Sequence, residues 1–176
     1  MVQTSSPAQL EEMLEAAGAR RIAIDGINGA GKSYLARDLS AKFGLPRLDL
    51  DSYLEADRGA FVPHLRKDRL RRDLDDMPEF VIAGVCMLQV LEILRVDVDV
   101  LVYIKRVKGT KWTDESSLVP CSPVDEHVSA LRREHEAFAE AAAVQRSFAL
   151  DEEVIRYHAR YRPQQRAGIC YARSAA

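Results

Sequence analysis

The chain has 176 residues, 47% of them apolar and 30% charged, with a formal net charge of −2. Such a composition belongs to an ordinary globular protein, long enough for one domain with a full core. The charge excludes a general nucleic-acid footprint, and no apolar run approaches the roughly 20 residues of a membrane span. The opening "MVQTSSPAQLEEML" lacks the basic and apolar regions of a signal peptide. Cys86, Cys121 and Cys170 are odd in number and widely separated, which suits neither a disulfide framework nor a zinc site. A reduced cytoplasmic setting is the expectation.

Ser6-Pro7 predicts a helix start, a capping hydroxyl followed by proline at the first helical position. Leu10, Met13, Leu14 and Ala17 form its apolar stripe, and Gly18 ends it, giving a helix over 7–17. Residues 20–25 read as a strand. From Lys32 the period becomes helical, with Leu35, Leu39 and Phe43 on one face and Gly44 and Pro46 as stops. "RLDLDSYL" alternates and predicts a second strand of about five residues. Residues 65–74 predict a basic amphipathic helix, and "EFVIAGVCML" a buried strand leading into a helix from Cys86 to Leu94. Val100 to Ile104 is the most apolar strand, and 108–122 reads as irregular and polar. A helix is expected from Ser122-Pro123, and a last helix capped by Asp151, with Leu150 and Ile155 as its hydrophobic staple. "AGICYA" suggests a short final strand. The alternation of strands and helices predicts an α/β fold, a doubly wound parallel sheet with helices on both faces, in one domain over 1–176.

Between the first strand and its helix lies Gly26-Ile27-Asn28-Gly29-Ala30-Gly31-Lys32-Ser33, which fits G-x-x-x-x-G-K-[ST] in full. A phosphate chain needs backbone N–H groups around it at a helix N-terminus, where the dipole also favours negative charge. Glycines let the backbone curl close to the anion without side-chain clashes. Lys32 is placed to reach the β- and γ-phosphates, the Ser33 hydroxyl to coordinate Mg²⁺, and Tyr34 follows at the rim. This predicts a nucleoside triphosphate site.

Asp49 and Asp51 are expected at the C-terminal end of the second strand, where ligands bind in open parallel sheets. An acid there accepts the proton of a substrate hydroxyl or holds Mg²⁺. Asp51 is assigned that role; Asp49 fits a cap for the following turn at least as well.

With these motifs the chain resembles the uridine kinase-like branch of P-loop kinases, which includes phosphoribulokinase and bacterial pantothenate kinase. The resemblance is specific in "IDGINGAGKS" and moderate in "LDLDSYL", "VIAGVCML" and "EVIRYHARYRPQQRAGICYAR". It implies that Asp51 is the base that activates the acceptor hydroxyl. It also implies a third-strand glutamate that helps organise Mg²⁺, but Ala83 stands there. The family's arginine-rich lid has no direct counterpart; segment 105–122, with Lys105, Arg106, Lys108 and Lys111, takes its place at the correct end of the sheet. Tyr53 stands two residues after Asp51, shifted from the family's aromatic. The resemblance also brings Arg160 and Arg162 toward the nucleotide, though exposed arginines on a late helix are ordinary.

Smaller signals carry less. His64 follows the second strand closely enough to line an acceptor pocket, although a lone histidine more often packs or is solvated. Arg66, Lys67, Arg69, Arg71 and Arg72 alternate with Asp68 and Asp73, which favours a solvated helical face over a phosphate site.

The expectation is an ATP- and Mg²⁺-dependent kinase acting on a hydroxyl of a small metabolite, with no nucleic-acid or membrane partner. Two rivals share the phosphate loop: a nucleotide sensor that has lost transfer, and an NTP hydrolase.

Overall fold

The computed structural model describes residues 2–55, 59–120, 122–138 and 141–174, so Cys121 lies outside the described residues. Six strands run parallel in the order β1 (Val2–Thr4), β7 (Ile169–Ser174), β5 (Val100–Lys108), β2 (Arg21–Asp25), β4 (Phe80–Ala83) and β3 (Arg47–Asp49). A seventh, β6 (Lys111–Trp112), pairs antiparallel with β5. β2 lies between β4 and β5 with helices packed over both of its faces, so it reads as a continuous apolar run.

Alternation along the strands divides the core. Ile22, Ile24, Val102 and Ile104 pack beneath α1 (Pro7–Ala16) and α2 (Lys32–Phe43), through Leu10, Leu14, Ala36 and Leu39. Ala23, Ile82 and Tyr103 face the other side, where α3 (Lys67–Asp75), α4 (Met87–Leu94) and α7 (Ala141–Tyr161) supply Leu70, Met87, Val90, Val154 and Tyr157. The starts and stops follow local chemistry. Ser6 Oγ accepts from the Gln9 N–H at 3.3 Å with Pro7 at the first position, and Gly44 closes α2 in the left-handed conformation.

Three expectations are corrected, and one strand is added. The alternating stretch after Arg47 gives three strand residues, and Leu50–Tyr53 then turn as a 3-10 helix. The Asp49 carboxylate accepts from the Asp51 N–H at 3.2 Å and so initiates that turn. Segment 108–122 is not wholly irregular. β5 continues to Lys108 and turns back into β6, where the Trp112 ring meets Tyr103 edge-on at 6.1 Å, and a short α5 (Glu115–Leu118) follows. The hairpin carries polar residues because its outer end leaves the core. Asp151 caps nothing, for it lies within α7, and Leu150 and Ile155 sit on that helix in different hydrophobic clusters. Finally, an N-terminal strand, β1, precedes the first helix and extends the sheet beside β7.

α7 is tied to the sheet by buried polar groups. His158 Nδ1 donates to the Val154 carbonyl at 2.7 Å, so Nε2 is bare and accepts from Tyr103 Oη at 2.8 Å. Burial pushes the imidazole down to about 4, so it is neutral near pH 7. α6 (Val124–Phe138) packs on α7 through a small separate cluster of Val128, Phe148 and Ile155. No helix among the described residues is long and apolar enough to cross a membrane.

Gly84, just after β4, has no room for a side chain. A Cβ there would stand 2.4 Å from Leu50 Cδ1, and Leu50 is fully buried. Gly84→Ala should therefore lower the unfolding free energy by about 1–3 kcal/mol, the usual cost of overpacking. Urea denaturation beside the parent checks this; an unchanged midpoint would contradict it.

Candidate active site

β2 ends at the edge of the sheet, and the chain must reverse into α2. Gly26 lies so close to β5 that a Cβ would meet the Ile104 carbonyl oxygen at 3.0 Å. Gly31 caps α2 at φ +93 with no side-chain hydrogen bond, which leaves the first-turn N–H groups for an anion. Lys32 is 9% exposed, and its Nζ donates to the Ile27 carbonyl at 2.8 Å, folding across the loop. Burial lowers its pKa, opposed by the charges of Asp25, Asp51 and Asp49.

The acid that ends β2 holds this loop from beneath. Asp25 is fully buried and accepts from the Gly26 N–H at 2.7 Å and from Tyr157 Oη. Tyr157 Oη in turn accepts from the Leu88 N–H at 3.1 Å. Desolvation pushes the Asp25 carboxyl up to about 6, against the opposing pull of Tyr157, the Gly26 N–H and Lys32. The sequence displayed Asp25 as the acid before the glycines but gave no sign of its partner, because Tyr157 is 132 residues away.

A cleft of about 420 Å³ opens over the loop. It brings together Asn28, Gly29, Ala30, Gly31, Lys32, Ser33 and Tyr34 with Asp49, Asp51, Gly84, Arg106 and Arg173. Partial desolvation raises the Asp51 carboxyl, the nearby Asp49 charge raises it further, and Lys32 opposes both. Arg106 stands beside Gly29, its guanidinium held by Asp114 through Nε at 3.1 Å and through Nη2. Arg173, from β7, lies across the loop with its guanidinium 5.7 Å from the centroid of the exposed Tyr34 ring. Sequence reasoning missed Arg173 because only the pairing of β7 with β5 carries it there.

The remaining residues singled out in the sequence do not line this cleft. Tyr53 is buried with its hydroxyl donating to Asp73 at 2.7 Å. His64 lies in a 3-10 turn over Val62–His64 that leads toward α3. The Lys105 ammonium sits 4.6 Å from the Trp112 ring centroid, which stabilises the hairpin. Arg160 stacks on Tyr161, and Arg162 lines a separate hollow with His158 and Gln164.

No protein-family model matches the chain. A shikimate kinase from Bradyrhizobium diazoefficiens is 39% identical over 54 residues, 31% of this chain. That match spans only about a quarter, 26%, of the curated relative's length. The structure of a possible uridine kinase from Bacillus stearothermophilus superimposes with a TM-score of 0.53 at 14% identity, over 94% of this chain and 96% of that one. A shikimate kinase from Acinetobacter baumannii aligns at a TM-score of 0.43 and 16% identity, over 91% of this chain and 86% of that one. The fold is α/β, a mostly parallel seven-stranded sheet with helices on both faces, and it is shared with the possible uridine kinase.

The raised Asp25 carboxyl has a consequence for stability. Its folded pKa, about 6, lies above the unfolded value, so its contribution is full at pH below about 4 and is lost as pH rises through 6. Asparagine does not titrate, so the unfolding free energy of the parent should fall relative to that of Asp25→Asn by on the order of 1–3 kcal/mol between pH 4 and pH 7. Denaturant titrations at pH 4, 5, 6 and 7 check it; parallel pH profiles for parent and variant would contradict it.

Proposed function

We propose that this chain is a P-loop kinase that moves the γ-phosphoryl group of ATP to a hydroxyl of a small metabolite. The observation that carries this reading is one cleft that joins the phosphate loop to the carboxylates of Asp49 and Asp51 and to Arg106.

The loop amides and Lys32 hold the β- and γ-phosphates, and Tyr34 with Arg173 offers the base an aromatic face and a planar cation. Among the described residues no three His, Cys, Asp or Glu side chains form a metal cage. Ser33 and Asp49, with Asp51 through water, offer oxygen donors that would hold a divalent ion, and oxygen donors of this kind fit Mg²⁺. When bound, it would neutralise phosphate charge.

The acceptor oxygen attacks the γ-phosphorus, forming a new O–P bond as the bond to the β,γ-bridging oxygen breaks and ADP leaves. The hydroxyl proton passes to the Asp51 carboxylate, whose raised pKa suits a base. Arg106 is placed to stabilise charge on the transferring group.

A second reading, nucleotide binding without transfer, is favoured by Ala83. Where the resembled family carries glutamate, this side chain is 1% exposed and packed into the core.

ADP release from Mg-ATP, measured against a panel of nucleosides, sugars and vitamin precursors, separates the two. One acceptor should raise the rate. Asp51→Asn should lower that rate about 10²–10⁴-fold with little change in nucleotide affinity, the usual scale for loss of a general base. Lys32→Ala should lose both binding and turnover. ADP release that no acceptor raises, and that survives Asp51→Asn, would sink the kinase reading in favour of the second.

A further inference from the structure

A second cavity, of about 310 Å³, adjoins the cleft. The two share Asn28 of the phosphate loop and Arg106, so they meet on the side of the loop away from Ser33 and Tyr34. Its floor is the loop itself, at Ile27 and Asn28, and its walls come from α5, α6 and α7.

This space is not a packing defect of ordinary size. Protein interiors leave few voids larger than a water molecule, whereas small-molecule sites begin at roughly 300 Å³. Among the described residues, α6 and α7 meet through their own small cluster and through Arg132 and His135 against the Phe148 ring, and are braced at the surface by Arg132–Glu152 and Arg156–Asp125 ion pairs. Leu118, Leu131 and Phe148 are left facing the hollow.

The polar groups of the cavity define what fits. The Arg106 charge is matched by Asp114. Asp151 stands at the solvent-exposed rim of the wall and, among the described residues, forms no ion pair; partial desolvation raises its carboxyl, with His135 opposing. An anionic ligand body would thus meet the Asp151 carboxylate, with the Arg106 charge already taken by Asp114 and His135 the other basic group among the described lining residues. A hydrogen-bond donor or a positive charge would satisfy that carboxylate.

We infer that this cavity holds the body of the acceptor. The acceptor is a neutral or cationic alcohol with an apolar ring or chain and a donor group for Asp151. Its reacting hydroxyl extends past the junction of Asn28 and Arg106 into the cleft that Asp51 lines. The position of that hydroxyl rests on the kinase reading; the cavity and its charge preference do not.

Saturation-transfer NMR tests this with uridine, pyridoxine and choline as neutral or cationic probes, and shikimate and pantothenate as anionic ones. The parent should bind at least one of the first group and prefer it to the anions. Leu131→Trp, which fills the hollow, should weaken that probe more than tenfold. ATP affinity, read at the neighbouring cleft, should stay within twofold and report an intact fold. Asp151→Asn should weaken the same probe about fivefold, and it carries the test if the tryptophan variant does not fold. Failure of the parent to bind any of the first group, preference for the anions, or unchanged probe binding in both variants would overturn the assignment. Acceptor-stimulated ADP release is followed in parallel. Probe binding that depends on Leu131 and Asp151 but stimulates no turnover would uphold the cavity and count against the kinase reading alone.

Discussion

A buried carboxylate beneath a phosphate loop is the constraint on which this molecule is built. The chain leaves the buried strand β2 at Asp25, turns tightly, and leaves the first-turn N–H groups of α2 without a side-chain cap. That turn needs an anchor inside the protein, and Asp25 provides it by accepting from Gly26 on one side and Tyr157 on the other. Burying an acid beneath such a turn is costly unless the acid is hydrogen-bonded and has a cation nearby. Tyr157 and Lys32 supply those two requirements. The same hydrogen bond fixes α7 to the end of β2, so the helix that walls the second cavity is registered to the loop that forms its floor.

The other groups reach the cleft by separate routes. Asp49 and Asp51 come from the end of β3, Arg106 from β5, and Arg173 from β7. Parallel order makes this convergence automatic, because all these strands end on the same side of the sheet. Fine placement is local. The Asp49 carboxylate starts a turn, and that turn swings Asp51 toward Lys32. Asp49 therefore acts as a turn-initiating acid whatever further role it has at the cleft.

What was legible in the sequence was local. The phosphate loop, α1 with its serine cap, α2 with its terminal glycine and the apolar strands β2, β4 and β5 are each set by a few neighbouring residues. Features that depend on distant pairing were not. β1 is three residues long and has a strand only because β7 lies beside it. The β5–β6 hairpin is polar along its outer part and is held by Trp112 against Tyr103 and Lys105. Arg173 and Tyr157 looked like ordinary late-chain residues until the sheet and α7 carried them to the loop. Asp151 misled because an acid beside apolar residues reads as a cap, whereas here it faces a hollow within a long helix.

The central claim is that the loop from Gly26 to Ser33 binds the polyphosphate of a nucleotide. Calorimetric titration with ATP, ADP, AMP and adenosine, in the presence of Mg²⁺, tests it most directly. The account predicts affinity that rises steeply from AMP to ADP and ATP and collapses in Lys32→Ala. Equal affinity for AMP and ATP, or undiminished ATP binding in Lys32→Ala, would contradict it.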